Sequence, residues 1–339
     1  MKELLKELCL INGTSGNESA VREAITKKIS DYCDYNIDPL GNLICLCKGK
    51  KSSGKKVMVA AHMDEVGFIV TYIRDDGTLC FGEVGGVDPA VVIGRQVTVG
   101  INRISGVIGS AAVHNLSKEE RETPPKFDNL YIDIGAESKE EAAQYVKLGD
   151  CVYFDSDFTE LGGNCLKSKA IDDRAGCAVM TELIRRGVEY DTYFVFNVQE
   201  EIGLRGSRVS AFSVDPDFAV VLEATTASDI DGISGAKKVC SLGKGPVVGF
   251  MDKSTVYDKE LYRLAFDTAS ELGIPCQTKT MIAGGNDSGA IHLSRGGVRT
   301  IAVSAPCRYI HSPSCVANYE DLDNMLLLAG ELVKRVHEL

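Results

Sequence analysis

Apolar residues recur at three- and four-residue spacing over positions 4–11 and again over 20–32, where Asn17 is placed to cap, and the pattern predicts two opening helices. Positions 43–47 and 57–61 read differently, as apolar runs of strand length. The second is apolar throughout and is predicted to be covered on both faces of a sheet, with His62 just past its end. From Val66 to about Leu161 the texture changes. Short β-rich runs (66–73, 79–84, 95–99, 106–113, 130–134, 151–157) alternate with Asp-Asp-Gly, Gly-Gly and Thr-Pro-Pro turn signals, and only 138–146 has helical spacing. That rhythm predicts a small β-barrel or sandwich. After Ser168, predicted helices (173–186, 259–272, 319–336) and a helix or turn (204–210) alternate with predicted strands (193–198, 218–222, 298–304), which is α/β grammar.

The length fits this division. At 339 residues the chain exceeds the ~100–200 residues of a usual domain. The economical architecture is one α/β domain made from residues 1–65 and 163–339, with the β-rich segment 66–162 inserted. Thirty-seven Lys and Arg against 48 Asp and Glu give a net charge of −11, with no long basic run, which argues against a nucleic-acid partner. The first residues mix charge with apolar positions, so no signal peptide or membrane span is placed there and a cytoplasmic protein is expected. Twelve scattered cysteines without a Cys-x-x-Cys motif fit reduced thiols better than a disulfide framework.

Acids and histidines cluster where strands are predicted to end: His62 with Asp64, Asp172-Asp173, Glu200-Glu201, Glu223, and His311 in the loop after 298–304. In open α/β sheets ligands bind at the carboxyl ends of strands, so these stretches can converge although they are far apart in sequence. Each has a plainer explanation alone. Asp172-Asp173 also suits a helix N-terminus, Glu200-Glu201 a solvated loop, and either histidine a packed core residue. Yet two adjacent acids exceed what one cap needs, and a single carboxylate can bridge two cations. Of the glutamate pair, one can bind metal while the other stays free to carry protons. A carboxylate two residues beyond His62 can fix its tautomer. Two nitrogen and three oxygen donors suit Zn²⁺, Co²⁺ or Mn²⁺ rather than Ca²⁺ or Mg²⁺.

At these motifs the chain resembles metallopeptidase family forty-two, the tetrahedral aminopeptidases, some of them long labelled endoglucanase M. The matching stretches are Ala61-His-Met-Asp-Glu-Val-Gly67, Lys169-Ala-Ile-Asp-Asp-Arg-Ala-Gly176, Val198-Gln-Glu-Glu-Ile-Gly-Leu-Arg-Gly206, Gly284-Gly-Asn-Asp-Ser-Gly289 and Arg308-Tyr-Ile-His-Ser-Pro313. The resemblance implies a phosphorylase/hydrolase-like aminopeptidase domain with an inserted β-barrel that forms dimers, which assemble into tetrahedral dodecamers. It implies two divalent ions, one on His62, Asp172 and Glu223 and one on Asp172, Glu201 and His311, with Asp172 bridging. Asp64 would orient His62, and Glu200 would be the general base. Glu223 stands where the family often has Asp, and Cys307 and Cys315 flank the last histidine where other residues are common.

Peptides with a free amino terminus are the implied substrates. A dinuclear deacylase or dipeptidase would use the same ions. A glycoside hydrolase could pair Glu200 with Glu223, but it leaves His62, Asp172 and His311 without a task, and the chain has no tryptophan to form a sugar platform. A non-catalytic scaffold is at odds with an intact ligand set.

Overall fold

The computed structural model describes the backbone of all 339 residues and the side chains of all but positions 113, 119 and 120. Its frame is an 11-stranded sheet whose centre is four parallel strands, in the order Thr192–Asn197, Val57–His62, Phe218–Thr226 and Arg299–Arg308. All six residues of Val57–His62 are buried, as expected of a strand covered on both faces. Helix Ile171–Arg186 packs on this strand and on Phe218–Thr226, and the last helix, Tyr319–Glu338, packs beside it.

Antiparallel strands extend both edges: Leu43–Cys47 and Asp34–Ile37 on one side, Cys315–Asn318, Cys165–Ser168 and Thr159–Leu161 on the other. Thr159–Leu161 falls inside the segment expected to be inserted, yet it pairs in the large sheet. The barrel strands themselves run from Gly67 to Phe154. Six of them close into an antiparallel barrel with its own core. There the Phe68 ring lies edge-on to Phe81 at 5.0 Å and to Phe154 at 5.3 Å, an arrangement that aromatic quadrupoles favour. A second short helix, Lys118–Glu122, joins the expected Lys139–Tyr145 in this region.

Two boundaries bear on the site. His62 is the last residue of its strand and not a residue beyond it, and Phe218–Thr226 runs nine residues, so Glu223 sits inside a strand. Among the described residues no helix is long and apolar enough to cross a membrane.

Candidate active site

The parallel strands bring Asn197 level with His62, and the register between Val57–His62 and Phe218–Thr226, continued two residues past Ala60↔Val221, places Glu223 on the other side of it. His62 Nδ1 lies 3.0 Å from the Asp64 carbonyl oxygen. A carbonyl can only accept, so Nδ1 carries the hydrogen and the Nε2 lone pair points the other way. It points at carboxylates: Asp172 Oδ1 at 3.2 Å and Glu223 Oε1 at 3.3 Å.

His311 repeats this construction. It lies in the loop between Arg299–Arg308 and Cys315–Asn318 with a positive φ of 59°. Its Nδ1 is 2.7 Å from the carbonyl of Gly86, a residue of the inserted segment. Its Nε2 is 3.3 Å from both Asp172 Oδ2 and Glu201 Oε2. Thus the two oxygens of Asp172 face two different histidines. In a neutral ring the Nε2 lone pair would repel the carboxylate oxygens unless a proton or a metal ion lay between them. Separations of 3.2–3.3 Å are close to the ~3.4 Å edge of a tetrahedron of donors about 2.1 Å from a central ion.

The paired aspartates divide their work. Both have non-helical backbone angles at the start of helix Ile171–Arg186, and the peptide between them is cis. Asp173 accepts from Gly176 N at 2.8 Å and from His62 N at 3.4 Å, which is the capping role of an N-terminal acid. His62, Asp173 and Glu223 do offer atoms within 4.8 Å of one another, but both Asp173 oxygens are already engaged by backbone amides. Asp172 remains free to bridge.

Asp64 supports the site differently from the sequence expectation. Its carbonyl is nearer to the His62 ring than its carboxylate, which is 3.5 Å away. The carboxylate accepts from Ser15 Oγ at 2.6 Å, Glu200 N at 3.0 Å and Glu201 N at 3.1 Å. The His62 ring first, then Ser15 and the Glu200 amide, hold Asp64 below the usual carboxylate range despite burial, and the backbone bonds fix the turn that delivers Glu200 and Glu201. Glu200 belongs to neither histidine cluster. Its Oε2 is 4.0 Å from His62 Nε2.

Electrostatics point the same way. Burial, with Asp172 nearby, pushes Glu201 up to about 8 and Glu223 up to about 8. Glu200 is raised well above its ordinary value by burial and by Glu223 and Glu201. Burial alone would lower His311, but Asp172 and Glu201 outweigh it and raise the ring to about 10. Glu201 Oε1 is buried without a hydrogen-bond partner. So much negative charge withdrawn from water must be compensated, by protons on the carboxyls and rings or by bound cations. The cluster opens on a cavity of about 530 Å³, also lined by Leu204, Thr225, Val239, Met281 and Ile310.

All seven site residues named from the sequence converge here. Ser15, Gly86 and Arg174 were not foreseen. The fully buried Arg174 donates to the carbonyls of Met63, Leu8, Ile11 and Gly13, tying the His62–Asp64 segment to the first helix. Its place beside Asp172-Asp173 was the one available signal. A backbone carbonyl such as that of Gly86 leaves none.

A mixed α/β sheet with a closed antiparallel barrel and an acid-rich site at the ends of the parallel strands defines a hydrolase class. The model of the M42 glutamyl aminopeptidase family matches residues 41–328, which include all seven residues, and the chain belongs to this family of peptide hydrolases. It is 35% identical to the lysyl aminopeptidase of Pyrococcus furiosus over 98% of this chain and 97% of that one. Against the glutamyl aminopeptidase of Lactococcus lactis subsp. cremoris, identity is 32%, with 94% and 91% covered. Among solved structures, a TET aminopeptidase from Thaumarchaeota archaeon SCGC AB-539-E09 superposes with a TM-score of 0.94 at 35% identity, covering 99% of this chain and 96% of that one. The TET1 peptidase of Pyrococcus horikoshii, which can assemble into a tetrahedron or a large octahedral shell, gives 0.87 at 35%, with 98% of each chain covered. A structure described as an endoglucanase of Thermotoga maritima gives 0.81 at 40%, with 98% and 97% covered.

Proposed function

We propose that the protein is a dinuclear, metal-dependent aminopeptidase that removes residues one at a time from peptides with a free amino terminus. The observation that carries this reading is Asp172, whose two oxygens face the Nε2 atoms of His62 and His311 at 3.2 and 3.3 Å. His62, Asp172 and Glu223 would hold one ion, and Asp172, Glu201 and His311 the other. The orphaned Glu201 Oε1 and the two Nε2 lone pairs fit that assignment. The mixed nitrogen and oxygen donors favour Zn²⁺ or Co²⁺, with Mn²⁺ possible. Such ions, when bound, supply an acidified water and a polarised scissile carbonyl.

Glu200 lies outside both sets with its carboxylate beside them, so it would take the water's proton and return it to the leaving amine. Asp64 would hold Glu200 and His62 in place through the bonds described above. The free amine of the substrate would be recognised by the carboxylate cluster, and acetylation removes both its charge and its basic lone pair. Barrel-mediated dimers, built into tetrahedral particles as in the TET structures, would be the assembly. Ile101, 96% exposed, and Leu148, 62% exposed, leave apolar surface on the barrel side for such a contact. A cytoplasmic location suits the free thiols.

The test is hydrolysis of free and N-acetylated peptides and of soluble glucan, before and after chelation, with each metal added back. Rapid, metal-restored release of the first residue from free peptides alone is expected. Equal rates on acetylated peptides would overturn the reading, and so would chelator-resistant glucan cleavage that Glu200→Gln abolishes. Activity confined to dipeptides would favour the dipeptidase alternative.

A further inference from the structure

Three cysteines meet at the far edge of the sheet, away from the acidic cluster. Strand Asp34–Ile37 pairs antiparallel with Leu43–Cys47 in the register Asp34↔Leu46 and Tyr35↔Cys45. Cys33 immediately precedes the first of these strands, and extending the ladder by one step would set it opposite Cys47. Cys45 and Cys47, two apart on one strand, point to the same face, which Cys33 adjoins with its own thiol donating to the Ile29 carbonyl at 3.5 Å. Directly opposed antiparallel residues have Cα atoms about 4.5–5.5 Å apart. That lies within the ~4.4–6.8 Å that a disulfide spans without backbone movement. Exposure differs among the three: Cys45 and Cys47 are buried at 0% and 2%, whereas Cys33 is half-buried and reachable from solvent. Contacts from the Cys45 and Cys47 thiols hold Cys33 below the ordinary thiol range, which increases its thiolate character.

We propose that Cys33 is a hydroperoxide-reactive thiol and that Cys47 resolves it into a Cys33–Cys47 disulfide. In the first step Cys33 Sγ attacks one peroxide oxygen and the O–O bond breaks. This leaves a sulfenic acid on Cys33 and releases one water. Cys47 Sγ then attacks the sulfenic sulfur, the S–S bond forms, and the hydroxyl leaves as a second water with the Cys47 proton. Two thiols are oxidised and one peroxide is reduced to two waters.

A second thiol contact, between Cys307 and Cys315, serves as an internal comparison. Those cysteines are 0% and 2% exposed, so neither offers an entry point like Cys33. The site also stands apart from the chemistry of peptide hydrolysis. Cys47 pairs with Thr192, at the start of the strand whose other end leads to Glu200.

The experiment is to treat the intact protein with a small excess of hydrogen peroxide, quench with an alkylating agent, count free thiols in denaturant and map linked peptides by fragmentation mass spectrometry. The thiol count should fall by two from twelve, with the new link joining Cys33 to Cys47. Cys33→Ser should keep all its remaining thiols, and Cys45→Ser should still form the link. An unchanged thiol count, a link placed at Cys307–Cys315, or Cys33 carried to sulfinic acid without a link would each overturn the proposal. These readouts need no peptidase activity, so they stand or fall independently of the proposed function.

Discussion

The two histidine-centred halves of the site use the same local design in different surroundings. His62 ends a buried central strand, is 1% exposed, and takes its Nδ1 partner from Asp64, two residues along its own chain. His311 sits on a loop with a left-handed backbone, its side chain is a third exposed, and its Nδ1 partner is Gly86, 225 residues away. Glu223 is fixed inside a nine-residue strand, whereas Glu201 depends on a turn held by Asp64. One half is thus set by sheet register. The other forms only when a loop of the large domain and a loop of the inserted segment dock. Asp172 joins them through a single carboxylate.

The largest effect should come from breaking that join. Asp172→Asn removes a charge from both halves, and on the proposed dinuclear reading loss of both ions, and of peptidase activity with them, is expected. Glu200→Gln should cost about 10²–10⁴-fold in turnover, the range of general-base catalysis, while metal content stays near wild type. Elemental analysis alongside turnover distinguishes the two. Equal metal loss in both variants would contradict the separation of ligand from base.

Next in size is the cost of removing each histidine. In the metal-free protein His62→Ala strips the buried Asp172, Glu223 and Glu200 of their nearest positive partner, and such broken buried pairs typically cost about 3–5 kcal/mol. His311→Ala, on the solvent-facing side, should cost about 1 kcal/mol or less. Urea unfolding in the presence of chelator measures both. Similar destabilisation would show that the halves are equally embedded.

A finer probe acts on the docking of the open half alone. Gly85 has φ +85°, and a Cβ there would lie 2.8 Å from Val66 Cγ1 and 3.2 Å from Glu201 Cβ. Gly85→Ala should therefore displace the Gly86 carbonyl and weaken one of the two ions by about 10–100-fold, as loss of a supporting hydrogen bond to a ligand does. Calorimetric metal titration should show one weakened and one unchanged step. Two equally weakened steps would mean that the halves are not separable.

The smallest expected effect contrasts the site histidines with His337. Burial, with Lys55 nearby, lowers His337 to about 4, while Ser53 Oγ and Thr192 Oγ1 occupy its two ring nitrogens at 2.7 and 3.1 Å. A folded value below the unfolded one near 6.5 means that the unfolded chain binds more protons between about pH 6.5 and 4. Stability from this residue is therefore complete above pH 6.5 and lost as the pH falls through that window. His337→Gln should flatten the unfolding midpoint across that range, and an unchanged acid slope would assign the loss to other groups.

Much of this was legible in the residues. The all-apolar run before His62 marked a central strand because only a strand covered on both faces tolerates such a sequence. The acids after it, and after the strands that follow, marked one end of a sheet. Edge elements were harder to see: Asp34–Ile37 and Thr159–Leu161 are exposed at every position, and the Asp-Tyr-Asn-Ile alternation is only four residues long, too short to announce pairing. The reading of Asp172-Asp173 as either cap or ligand could not be divided by sequence, because the division lies in backbone angles that send one carboxylate to amides and the other to histidines.

By itself, then, the sequence determined which residue types were available for chemistry and on which side of the sheet they would emerge, since strand periodicity and turn residues are local properties. Tertiary structure alone decided the rest. The Gly86 carbonyl, the three donors to Asp64 and the buried guanidinium of Arg174 act through backbone groups or across long separations, and no residue pattern encodes a partner that is only a peptide oxygen. The two histidines have the same local chemistry. What makes one half closed and the other open is where the chain's distant segments come to rest against it.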